Sequence, residues 1–165
     1  MSADSTTMSL KRPKDYRAIL WGALIAGVLD ITAAFVNSGL RGRSPIWDLQ
    51  SVASGLLGPN SYKGGLRTAA LGLVLHFFIA FVACAVYYLA SRKLQFLLRW
   101  AIVCGLLYGV AVYLVMYGIV LPMTFHRSFF HPLTAVVIAL ITHMLCVGLP
   151  ISLLLRRYAK SPSAN

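Results

Sequence analysis

Four apolar runs dominate the chain, each bounded by charged or turn-forming residues. A bilayer core of about 30 Å needs roughly 20 helical residues at 1.5 Å each, and each run meets that length. The first spans 18–36 and follows the basic stretch Lys11, Arg12, Lys14 and Arg17. The second spans 66–90, from after Gly64-Gly65 to before Ser91-Arg92-Lys93. The third, over 100–121, stops at Pro122, and the fourth, over 132–155, is closed by Arg156, Arg157 and Lys160. The first run exceeds a signal-peptide core of roughly 7–15 residues and contains Asp30, and no small-residue cleavage site follows it. It reads as a retained membrane helix.

Between the first two runs, Ser44-Pro45 offers an N-cap and a first helical position, and Gly58-Pro59-Asn60 a stop. Ile46, Leu49, Val52, Ala53, Leu56 and Leu57 recur between them at helical spacing. A helix over 45–57 is too short to span, so it is expected along the interface or in a bundle mouth, with Trp47 as an anchor. The predicted fold is all-α: an antiparallel bundle of four transmembrane helices with one extra short interfacial helix after the first span. Residues 1–17 and 156–165 form basic flanks.

Composition makes lipid the required solvent. The 165 residues are 59% hydrophobic and 12% charged, with mean hydropathy +0.77, against roughly 25% charged in soluble domains. The net charge of +11 raises nucleic acid as a partner. Its Lys and Arg residues cluster at the ends of the apolar runs, however, and form no basic face interleaved with aromatics. The expected partner is the lipid bilayer, and no nucleic acid. Ten of the Lys and Arg residues fall on the side of the termini and five on the other. That bias places the N- and C-termini in the cytoplasm of a multi-pass protein of the cell inner membrane. Cys84, Cys104 and Cys146 lie inside apolar runs without CxxC spacing and read as small buried hydrophobes.

Candidate chemistry rests on three ionisable residues inside the runs: Asp30, His76 and His143. A charged side chain near mid-bilayer costs at least about 2.5 kcal/mol, so such residues face a partner or a wet cavity. Helix rise puts all three at similar depth. They could form a buried Asp–His hydrogen bond, a proton relay or a small-solute site. Two imidazoles and a carboxylate are also a transition-metal donor set, although the tight spacing typical of such sites is missing. No cofactor is predicted, and without a nucleophile elbow, a P-loop or a CxxCH motif no catalytic residue is assigned. His126 and His131 belong to the last connector and read as interfacial.

Small residues recur on each run: Gly22 and Ala26 beside Asp30; Gly72 and Ala80 beside His76; Gly105 and Gly109 before Tyr113; Ala139 beside His143. Such seams let helix backbones approach closely where lipid gives little drive for association. The leading functional reading is a non-catalytic membrane component that associates with a second copy or a membrane-protein partner through these Gly/Ala seams. The alternative is proton, metal-ion or small-solute handling through Asp30, His76 and His143.

Several segments carry a family resemblance: Gly27-x-x-Asp30, Leu49-Gln50-Ser51-Val52-Ala53-Ser54-Gly55-Leu56-Leu57-Gly58, and Gly64-Gly65 followed by Thr68-Ala69-Ala70-Leu71-Gly72. It continues through His76-Phe77-Phe78-Ile79-Ala80-Phe81, Tyr87-Tyr88, Tyr108-Gly109 and Val147-Gly148-Leu149-Pro150-Ile151. From Ala18 to Tyr158 the chain resembles small four-helix bacterial inner-membrane proteins of uncharacterised function. The resemblance implies fold and location and brings no activity or site residues. It departs at Tyr117, which follows Met116 where such proteins often carry Asn.

Overall fold

The computed structural model describes residues 16–120 and 133–160. The N-terminal basic stretch, the connector with Pro122, His126, Arg127 and His131, and the last five residues lie outside the described residues. Every described element is helical. Helix α1 covers Arg17–Gly39, α2 Pro45–Leu57, α3 Gly65–Lys93, α4 Phe96–Arg99 and α5 Ala101–Val115. A wider π-helical segment, Met116–Val120, extends α5. The last span is built from α6 (Leu133–Thr142), a π-helical segment His143–Gly148, and α7 (Leu149–Lys160). Four helices are long and apolar enough to cross a membrane: Arg17–Gly39, Gly65–Lys93, Ala101–Val120 and Leu133–Ala159. The chain is an all-α, multi-pass membrane protein.

Helix ends depart from the hydropathy boundaries where polar residues still favour helix. The last span runs past Leu155 through the basic residues because the next breaker, Pro162, lies beyond them. Residues between the second and third spans include the single turn α4.

Around the bundle, α3 packs on α1, α1 on the last span, and the last span on α5. Tyrosines close the circuit between α3 and α5. The Tyr108 hydroxyl donates to the Ala83 carbonyl at 2.7 Å, and the Tyr87 and Tyr108 rings meet edge-on at 4.9 Å. Tyr87 in turn donates to the Leu97 carbonyl at 3.0 Å, tying the α4 connector to α3. A hydroxyl buried in lipid needs such a partner, so these bonds fix the neighbours as well as satisfy the tyrosines. The core gathers at the end that carries both termini, around Ala18, Ala26, Cys84, Tyr87, Ile151 and Leu155. At the other end, α6 buries none of its residues. Among the described residues, the last span is therefore more closely packed at the end of α7 than at the end of α6.

At the α6 end, α2 is held by specific contacts. Ser44 caps it, its side chain accepting from the Trp47 amide at 3.2 Å, with Pro45 in the first turn. It ends at Gly58, whose φ of 63° is a conformation that side chains resist. Its inner face meets α3 at Gly72, where the lack of a side chain lets the Leu49 carbonyl lie against the helix. The buried Gln50 side chain donates to the Gly65 carbonyl at 3.0 Å. Ser38, near the end of α1, donates to Asp48 at 2.6 Å. The Arg43 guanidinium caps the Trp47 ring at 4.1 Å from its centroid.

Candidate intramembrane polar site

Asp30 sits half-buried on α1, two-thirds of the way towards the α6 end. Its carboxylate makes no hydrogen bond or ion pair among the described residues. Tyr117 and Cys146 are both within electrostatic reach of it. Arg41, just beyond the end of α1, is also within electrostatic reach of Tyr117.

His76 reaches α1 one turn nearer the α7 end. Its Nε2 lies 2.9 Å from the Gly27 carbonyl oxygen. A carbonyl only accepts, so Nε2 carries the proton, and in the neutral ring Nδ1 is the bare nitrogen. Gly27 makes this approach possible: a Cβ there would come 2.8 Å from the Phe77 ring and 3.4 Å from Ala80. Phe77 also meets the His76 ring edge-on at 5.5 Å.

His143 faces a different neighbour. Its Nδ1 donates to the Ala139 carbonyl one turn earlier, at 2.8 Å, leaving Nε2 as the acceptor of the neutral ring. The ring is turned towards α5, edge-on to Tyr113 at 5.8 Å and to Tyr117 at 5.9 Å. Those two tyrosines stack on each other at 4.6 Å. Both flanking helices widen to π geometry here, over Met116–Val120 and His143–Gly148. Such segments add a residue per turn, re-aim the side chains that follow, and recur at functional sites. Gly109 accommodates the widened segment, since a Cβ there would run into the His143 carbonyl and the Met144 backbone.

The three sequence candidates thus divide into two places. The segment that begins with His143 packs against α1 and α5, and Asp30 shares that region with Tyr117 and Cys146. His76 is bonded separately to the α1 backbone from the α3 side. Among the described residues, no three His, Cys, Asp or Glu side chains converge as a metal ion would require. An open groove of about 500 Å³ runs along the α6 end between α1 and the last span. Leu29, Ala33, Val36 and Ile138 form its apolar walls, with Asn37 and Thr142 as polar points. Asp30 and Asn37 are seven residues apart, two helical turns, so they share a face of α1.

The small-residue seams are taken up within the chain. A Cβ on Gly22 would lie 2.7 Å from the Cys84 sulfur, and Ala26 is fully buried in the core. Gly72 serves the short α2 instead of another span. Ala80 is buried beside Gly27, and Gly105 faces Ser152 and Gly148. Ala139 is only half-buried, and its part is to give His143 a carbonyl. Sequence reading did not single out Gly148 for packing, yet its backbone lies directly against that of Gly105 and Gly109. Tyr113 stood out only beside the Gly105–Gly109 seam and Tyr117 only as a departure from the family pattern; their ring stacking leaves no mark in hydropathy. Comparison with protein-family models, with curated proteins and with solved structures finds no match.

Proposed function

We propose that this multi-pass protein handles a proton together with a small solute at Asp30, within the inner membrane of a bacterium, as the four-helix family it resembles implies. Both termini lie in the cytoplasm on this reading, α2 lies at the opposite interface, and the α6 end of the bundle faces away from the cytoplasm. The observation that carries the proposal is the carboxylate itself. Asp30 lies in a spanning helix with no hydrogen bond or ion pair among the described residues. A carboxylate in that position costs free energy in either protonation state unless something enters to bind it.

A purely structural polar residue would be bonded to a neighbouring helix, as His76 is to Gly27. Association through the Gly/Ala seams fits less well, because Gly22, Gly72, Gly105 and Gly109 already meet partners in their own chain. The test is infrared difference spectroscopy on protein reconstituted in liposomes. A protonated-carboxyl band that titrates with pH in wild type and vanishes in Asp30→Asn is the expected result. A spectrum unchanged by that substitution would remove Asp30 from any proton handling. Reporter fusions at the C-terminus, one active only in the cytoplasm and one only outside it, decide the orientation.

A further inference from the structure

The end of the bundle that carries α2 is basic and its cations lack acidic partners. Arg41 and Arg43 follow α1 and Lys63 precedes α3, and all three are exposed. The acids among the described residues are Asp30 and Asp48, and neither forms an ion pair with these cations. The Asp48 carboxylate is turned inward instead, accepting from Ser38 at 2.6 Å with its second oxygen buried.

Local structure gathers the cations. The Arg41 and Arg43 amides both donate to the Ser38 carbonyl, at 2.9 and 3.0 Å, so the two arginines leave one tight turn. The Arg43 guanidinium lies over the Trp47 ring at 4.1 Å. Tyr62 meets the same ring at 5.5 Å, and Lys63 is next in the chain. A guanidinium stacked by its face keeps N–H donors along its edge, and these match a pair of phosphate oxygens. Trp and Tyr beside Lys and Arg are also the residues that settle at headgroup depth.

The same turn stands at one end of the groove between α1 and the last span. Leu40 lines the groove and is the residue before Arg41. From Leu29 to Leu40 the α1 wall rises about 16 Å at 1.5 Å per residue. That is about half of a hydrocarbon core of roughly 30 Å, the depth of one leaflet. Leu29, Val36, Leu40 and Ile138 make the walls apolar. Asn37, also in the lining, lies one turn below Arg41 and puts an amide just beneath the charge. A ligand that fits has a chain of leaflet length with a negative group at its end.

We propose that an anionic phospholipid is held here, its phosphate at Arg41 and Arg43 and one acyl chain in the groove between α1 and the last span. The bilayer that four spanning helices require supplies it. An apolar groove alone would accept any lipid, and the unpaired charge at its mouth selects a headgroup with net negative charge. Asp30 does not line the groove, so the site stands apart from proton handling at that residue.

The experiment is a native mass-spectrometric titration of the full chain in detergent. The probes are phosphatidylglycerol, phosphatidylcholine with the same acyl chains, a short-chain phosphatidylglycerol, and soluble glycerol phosphate. Wild type should retain one phosphatidylglycerol about tenfold or more tightly than phosphatidylcholine. Two basic residues near a membrane surface are together worth about thirtyfold, so Arg41→Gln/Arg43→Gln should lose about that much. Arg92→Gln/Lys93→Gln removes the same charge from the far end of α3 and should stay within about threefold. Ala33→Phe, which fills the groove, and the short-chain lipid should each cost about tenfold or more, since every buried methylene contributes.

Equal affinity for the two headgroups overturns the proposal, as it marks apolar partition. Equal losses in the two charge variants also overturn it, because net charge alone then drives adsorption. Glycerol phosphate binding as tightly as the lipid would identify a site for a soluble anion, and a dimer in place of the lipid adduct would identify a second copy as the occupant. Either result overturns the lipid site. Should Ala33→Phe fail to fold, the short-chain lipid on wild type still tests the groove.

Discussion

Gly72 of α3 and Leu49 of α2 meet backbone to backbone: the Leu49 carbonyl oxygen occupies the space where a side chain on residue 72 would begin. The contact fixes the short helix against the second span at a depth of two turns from Gly65. It explains why a segment too short to cross a membrane still packs closely on one that does. A main-chain carbonyl inside a helix cannot swing aside as a side chain can.

Gly72→Ala is therefore expected to push α2 away from α3. Overpacking of this kind costs about 1–3 kcal/mol, and the backbone partner puts the result at the upper end. Thermal unfolding in detergent should fall clearly for Gly72→Ala and stay level or rise for Gly39→Ala. Gly39 ends α1 with nothing near its Cβ position, so Ala there gains about 0.4–1 kcal/mol through the unfolded chain. Equal melting temperatures for the two variants would show that α2 is not docked.

Ser38 and Asp48 hold the other side of α2. Ser38 is buried and donates to one carboxylate oxygen at 2.6 Å, while the second oxygen, Oδ2, is buried with no partner among the described residues. Ser38→Ala removes the remaining bond and strands the carboxylate, at a cost of about 1–3 kcal/mol. Adding Asp48→Ala to Ser38→Ala should cost less than the two single changes summed, because the stranded group is gone. Additive melting shifts would mean that the two residues do not touch.

Gly109 carries the same logic into the bundle centre. Its α5 backbone lies on His143 and Met144, so Gly109→Ala should displace the π segment and with it the His143 ring. The expected signature is a lower melting temperature together with altered near-ultraviolet circular dichroism from Tyr113 and Tyr117. A change confined to stability would mean that the aromatic cluster is positioned by other contacts.

These glycines also mark how far the sequence could be read. Four spanning helices, the Ser44-Pro45 start and Gly58 stop of α2, and an all-helical bundle follow from local pattern, and the structure has all of them. Which helices touch does not follow, because a seam of small residues fits several neighbours. Gly72 looked like a contact between spans and serves α2, whereas Gly148 was not singled out for packing and lies in the tightest backbone approach of the last span. Asp30 and the two histidines stood out through the cost of ionisable groups in lipid. Their separation did not, since depth comes from helix rise but direction comes from packing. His76 turns to the Gly27 carbonyl and His143 to the tyrosines of α5.

Asp30 gives the prediction that best separates a functional carboxylate from a structural one. A residue held for stability has partners, and replacing it unmakes them. Asp30 has no hydrogen bond or ion pair among the described residues, so Asp30→Asn replaces a half-buried carboxyl without breaking a bond among them. The variant should melt at the wild-type temperature or above it, the usual relation between an unsatisfied functional group and stability. His76→Phe is the contrast: it deletes the bond to the Gly27 carbonyl, and bonds between membrane helices average about 0.6 kcal/mol. It should therefore melt slightly lower. A marked loss of stability in Asp30→Asn would mean that the carboxylate bonds to its own chain. In that case its place in the span would be explained by folding alone.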